Sequence, residues 1–163
     1  KQRLSGAMMR IHGDYRLGQL LYSGKDFFIF GFDGRPEYSL EERKIKRSPV
    51  LDLASMVISF HQASSAALFK YGMNRKEDLP MLVPWQELWA KYISGLFISA
   101  YRKTIGNASF VPRDLSEFEI LLNAVLLDRA IYELGNSLDE PSSAEIPLKV
   151  VIYLLKSMRN NKT

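Results

Sequence analysis

His12, Gly13 and Asp14 form a short His-x-Asp stretch, followed five residues later by Gln19 and, beyond an apolar run, by Asp33. These types suit phosphoryl transfer. That reaction depends on positioning and charge neutralisation, so it calls for one well-placed base and hard oxygen ligands. In such an arrangement the Asp accepts or orients the proton of an attacking hydroxyl, and the amide oxygen holds Mg2+. A second carboxylate on the following hairpin holds the metal against the nucleotide phosphates. Each residue also has a plainer reading. His12 alone reads as a buried histidine that braces the backbone, and Asp14 alone as a turn former.

The elements that must position these residues change character along the chain. Gln19–Tyr22 and Phe27–Phe32 are short apolar runs joined by Ser23-Gly24-Lys25-Asp26, which predicts a β-hairpin. After Pro36 the pattern turns helical. Ser39 with Glu42 three positions on is a capping-box pattern. Pro49 stands at a first helical turn, Leu53, Met56, Val57 and Phe60 follow helical spacing, and Gly72 marks an end. Three more helices are expected at roughly Pro84–Ile105, Leu115–Leu134 and Ile146–Met158, separated by Gly106-Asn107, Pro112, Gly135-Asn136 and Pro141. Trp85, Trp89 and Tyr92 lie at i, i+4 and i+7. That stripe reads as core, with a sugar-stacking platform as the alternative. His61 reads as a packed or surface histidine. The expected fold is mainly α, a helical bundle with a short β-hairpin near the N-terminus.

The 163 residues are one domain's worth of chain, 47 % of them apolar. With no cysteine, neither a disulfide nor a thiolate metal site is possible, and a reducing, cytoplasmic compartment is expected. No apolar run reaches the roughly 18–20 residues of a membrane span. The net charge is +4, with Arg43, Lys44, Lys46 and Arg47 clustered. An anionic partner would be drawn to them. Nucleic acid is not expected, because the cluster is interleaved with Glu41 and Glu42 and no usual reader motif is present. The opening KQRLSGAMMR lacks an initiator Met and a signal-peptide core, and reads as a segment of a larger protein.

The stretch from Arg10 to Phe60, beginning RIHGDYRLGQLLYSG, resembles the maltokinase family, aminoglycoside-phosphotransferase-like enzymes often fused to trehalose synthase. AYRKTIGNASFVP (Ala100–Pro112), LLDRAIYELGNSL (Leu126–Leu138) and IPLKVVIYLL (Ile146–Leu155) resemble that family's C-terminal helices in order and spacing. The resemblance implies the helical C-terminal lobe of a kinase-like fold. Residues 1–38 would carry the catalytic loop and hairpin, and residues 39–163 the bundle. It implies transfer of the ATP γ-phosphate, with Mg2+, to the anomeric hydroxyl of maltose, giving maltose 1-phosphate. It further implies Asp14 as base or orienter, His12 and Asp52 as braces of the catalytic loop, and Gln19 as a metal ligand. Arg129, Tyr132 and Glu133 would lie on the sugar side. For Asp52 a first-turn helix Asp favoured by the helix dipole is an equal reading, and for Tyr132 and Glu133 plain helix packing is. The implied partners are an N-terminal kinase lobe and a fused trehalose synthase domain.

The family pattern also departs here. Where it has Asp-Phe-Glu-Gly-Glu-Pro, this chain has Gly31-Phe32-Asp33-Gly34-Arg35-Pro36, so the main metal ligand is a glycine. On a strand, positions 31 and 33 share a face about 7 Å apart, so Asp33 would be the substitute ligand only through a shift of the strand or a bridging water. Arg16 stands in place of a second histidine. Asn136 and Ser137 replace a Tyr-Glu pair. Two expectations follow: a working sugar kinase, or an inactive pseudokinase module supporting a trehalose synthase domain.

Overall fold

The computed structural model describes residues 5–72, 74–137, 144, 147–149 and 151–152. The first third is a loop with one hairpin. Strands β1 (Leu20–Tyr22) and β2 (Phe27–Ile29) pair antiparallel, with Leu20 opposite Ile29 and Tyr22 opposite Phe27. A short helix α1 (Leu40–Lys44) follows, closed by the reciprocal capping box of Ser39 and Glu42. Three long helices make the bundle: α2 (Val50–Gly72), α3 (Leu79–Ile105) and α4 (Leu115–Asn136). Residues 147–149 and 151–152 are helical, and the rest of the expected Ile146–Met158 helix lies outside the described residues.

Helix α2 is the centre. Leu53 through Phe60 are buried without interruption, the signature of a helix covered on every side. Helices α3 and α4 both pack on it, and Val57, Ile58, Val111, Phe118, Leu122, Leu126 and Ala130 form one apolar cluster. The N-terminal loop is fastened to the same framework. Met9 and Arg47 exchange both backbone hydrogen bonds at 2.9 Å, and Leu17 N–H donates to Ser59 Oγ at 2.9 Å. The loop is therefore held at one end by the segment that leads into α2 and at the other by α2 itself, the helix that carries Asp52.

Two expectations are corrected. Helix α3 begins at Leu79 and runs through Pro84, because half-buried Leu79, Leu82 and Val83 extend its packed face upstream. The Trp85, Trp89 and Tyr92 stripe is exposed and not core: the face of α3 that meets the bundle runs through Ala90, Ser94 and Phe97 instead. Among the described residues no helix is long and apolar enough to cross a membrane.

Candidate active site

The His-Gly-Asp loop is shaped by α2. Asp52, in the first turn, accepts the backbone N–H of His12 at 2.8 Å and of Gly13 at 2.9 Å, one on each carboxylate oxygen. Gly13 has a φ of 83°, which lets successive N–H groups turn toward one carboxylate. Burial pushes the Asp52 carboxyl above its ordinary value, against the lowering effect of the two N–H groups, His12 and Arg129. The His12 ring closes the other side, with Nε2 2.7 Å from the Phe30 carbonyl oxygen and its face 4.8 Å from the Phe32 ring. His12 and Asp52 thus hold backbone, and Phe32 joins them as a residue that the sequence reading passed over.

So braced, the loop delivers Asp14 to a partly open polar cavity of about 140 Å³, lined also by Arg16, Arg35, Ser55, Gln62, Arg129 and Glu133. Asp14 is 2 % exposed. Its Oδ2 accepts from Arg16 Nε at 3.1 Å and from Gln19 Nε2 at 2.9 Å. Its Oδ1 lies 3.5 Å from Arg35 Nε, an ion pair not aligned as a hydrogen bond, so the buried Nε has no hydrogen-bond partner among the described residues. Ser55 Oγ, on the same cavity wall, is also without one among the described residues.

Arg35 is the hub. It is 7 % exposed, and its Nη2 meets Glu133 of α4 at 2.8 Å. Burial works against its charge, but Glu133 and Asp14 outweigh burial and raise its pKa. Glu133 also accepts from Arg129 Nη2 at 3.3 Å. The network brings Arg129 and Glu133 to the Asp14 cavity, although more than a hundred residues separate them in sequence. Tyr132 does not open toward that cavity in the same way. Its ring carries both guanidiniums, Arg35 at 5.3 Å and Arg129 at 4.8 Å, and meets Tyr38 edge-on. In the sequence, Arg35 was visible only as a charge reversal in the Gly31–Pro36 motif; nothing there showed that it spans from the loop to α4.

The residues offered to Mg2+ do not fit that ion. Strand β2 ends at Ile29, and Gly31 turns with a φ of 77°, so positions 31 and 33 do not share a strand face. Asp33 is swung outward, 77 % exposed, and its ion-pair partner is Arg43 at 3.9 Å. Gln19 gives its amide N–H to Asp14 and turns its Oε1 toward Gly31, where an added Cβ would collide with it. One neutral amide oxygen is a poor substitute for carboxylates around a hard cation. Among the described residues no group of three or more His, Cys, Asp or Glu could hold a metal. The basic segment is likewise half committed: Arg43 donates to the carbonyls of Tyr38 and Pro36, and Arg47 sits over the Tyr38 ring.

No family model matches the chain. A glucosamine kinase from Streptacidiphilus jiangxiensis is 26 % identical over 99 residues, 60 % of this chain and 21 % of that protein. A solved glucosamine kinase in complex with glucosamine, ADP and inorganic phosphate superposes with a TM-score of 0.73 at 19 % identity, over 93 % of this chain and 36 % of that one. Another crystal form of a glucosamine kinase gives a TM-score of 0.73 at 21 % identity, over 90 % and 34 %. The chain spans about a fifth of the curated relative and about a third of the solved kinases. Its fold is the mainly helical, hairpin-bearing fold found in these sugar kinases.

Proposed function

We propose that this chain is the C-terminal lobe of a sugar kinase-like domain, in which residues 1–38 and 39–163 act as one unit. In that unit Asp14 orients a sugar hydroxyl for phosphorylation by ATP. One observation carries the reading. Asp14 Oδ1 and Arg35 Nε face each other at 3.5 Å at a polar cavity, the first with acceptor capacity left and the second a donor without a hydrogen-bond partner among the described residues. A hydroxyl bridging the two as they part to admit it donates to the carboxylate and accepts from the guanidinium, satisfying both.

The step balances with these groups. The hydroxyl oxygen bonds to the γ-phosphorus, the bond to the ADP oxygen breaks, and the hydroxyl proton passes to Asp14. Guanidiniums beside the reacting oxygen stabilise the charge of the transferring phosphoryl. Ser55, Gln62, Arg129 and Glu133 supply the remaining hydrogen-bonding wall for the sugar. The acceptor is maltose and the product maltose 1-phosphate, supported by the ordered sequence motifs; the glucosamine kinases that share the fold make glucosamine the competing acceptor. The protein works away from membranes, in the cytoplasm, in maltose, trehalose and glucan metabolism.

A second reading is favoured by Gly31, which removes the expected metal carboxylate. In it the lobe is a pseudokinase that supports a trehalose synthase domain. The test is transfer of phosphate from ATP to maltose and to glucosamine by the intact protein, followed by ADP release and phosphorus NMR of the product. Transfer that falls by about 10²- to 10⁴-fold in Asp14→Asn is expected, as for loss of a positioned base. A rate untouched by Asp14→Asn overturns the kinase reading. Nucleotide binding with no transfer to any sugar selects the pseudokinase.

A further inference from the structure

The misfit between the metal and its expected ligands has a counterpart a few residues on, and this inference rests on the kinase-like reading of the Asp14 cleft. Where a carboxylate is absent at Gly31, two guanidiniums are present. Arg16 Nε and Arg35 Nε lie 3.1 and 3.5 Å from opposite oxygens of Asp14. We propose that Arg16 and Arg35 replace the divalent cation in this cleft, so that a nucleoside triphosphate binds the intact protein without magnesium.

Charge and geometry support the exchange. A metal at Asp14 would need its oxygen lone pairs, but Oδ2 already accepts two hydrogen bonds, and Oδ1 faces a cation. Together the two guanidiniums carry the double positive charge of one magnesium ion. A hydroxyl held between Asp14 and Arg35 sits about 3 Å from the phosphorus it attacks, which brings the Arg35 guanidinium within about 6 Å of that phosphorus. Arg16 is half-exposed, so its guanidinium keeps donors for a ligand approaching from solvent. Glu133 does not cancel Arg35, because Arg129 shares the same carboxylate. The three arginines of the cavity balance its three carboxylates, and of these Glu37 is exposed, so solvent screens its charge more than it does the buried groups. Guanidinium forks also match phosphate oxygens directly, whereas a bound magnesium needs carboxylates to hold it.

The experiment is calorimetric titration of ATP into the intact protein, once in excess EDTA and once with magnesium. Dissociation constants within about threefold of each other are expected for the unaltered protein. Arg35→Gln weakens binding in EDTA by about tenfold, the scale of one charge-assisted phosphate contact. The double variant Gly31→Asp with Arg35→Gln makes binding magnesium-dependent, an outcome that a merely structural role for Arg35 would not produce. The unaltered protein decides the matter even if Arg35→Gln fails to fold. Magnesium tightening of ATP binding by tenfold or more there overturns the substitution while leaving the nucleotide site standing. No ATP binding in either buffer overturns both the substitution and the kinase-like reading.

Discussion

Asp52 Oδ2 accepts the backbone N–H of His12 at 2.8 Å, tying the first turn of α2 to a loop 40 residues earlier. Its other oxygen holds Gly13, so one carboxylate fixes two successive peptide units. Removing it in Asp52→Ala leaves two partly buried N–H donors unpaired, at about 1–3 kcal/mol each. Urea unfolding should show a loss of about 2–4 kcal/mol, with faster hydrogen exchange at the amides of residues 12 and 13.

Asp52 also predicts an unusual pH response. Burial raises its folded pKa above the ordinary 3.8, so the folded chain binds the proton more tightly than the unfolded one. The stability contribution from this group is fully present below 3.8 and is lost as pH rises through the raised folded value. Unfolding free energies of the unaltered chain and Asp52→Asn, compared point by point, should diverge across that interval and run parallel above it.

His61 gives the opposite slope. Burial, with help from Lys91 and against Glu87, holds its imidazolium below the ordinary 6.5. The folded chain therefore binds the proton less tightly than the unfolded chain. Its contribution is present above 6.5 and is lost as pH falls through the lowered folded value. Replacement by Gln should flatten that part of the stability profile. An NMR titration placing the His61 midpoint at or above 6.5 would refute the assignment.

Gly31 admits few replacements. Its φ of 77° is a left-handed conformation that Asp and Asn visit and β-branched residues avoid. Gly31→Asp forces the Gln19 amide aside and disturbs its hydrogen bond to Asp14, so its cost should be about 1–3 kcal/mol. Gly31→Val should cost clearly more in the same thermal melt. Equal costs would place the position outside a left-handed turn.

Phe118 anchors the packing of α4 in the bundle core. It is 1 % exposed, sits in the apolar cluster and lies under the Arg102 guanidinium at 5.0 Å. Phe118→Ala should lower the unfolding free energy by about 3–5 kcal/mol, the usual range for a buried phenyl ring.

Much of this architecture was legible from local chemistry. The Ser39–Glu42 capping box is formed as its spacing predicts, and the hairpin falls between the two apolar runs. Those signals are local, so they survive without knowledge of the tertiary fold. What was not legible is non-local. The Arg35–Glu133 contact at 2.8 Å joins two segments 98 positions apart, which no spacing rule reaches. The tie from Asp52 to the loop could be expected only from the family resemblance, since the residue alone is an ordinary first-turn aspartate. The aromatic stripe on α3 shows a further limit: helical periodicity locates a face but does not say whether that face is covered.

The hairpin carries a separate liability. Phe27, Phe28, Ile29, Phe30 and Phe32 all stand exposed, in a run of six uncharged residues of which all but Gly31 have strong β preference. Such a segment, freed during synthesis or heating, is a template for cross-β stacking between chains. Lys25 and Asp26 bracket it on one side and Asp33 on the other. In that setting the outward-facing Asp33 is a gatekeeper against aggregation, and replacing it by valine should lower the soluble yield before it alters any chemistry.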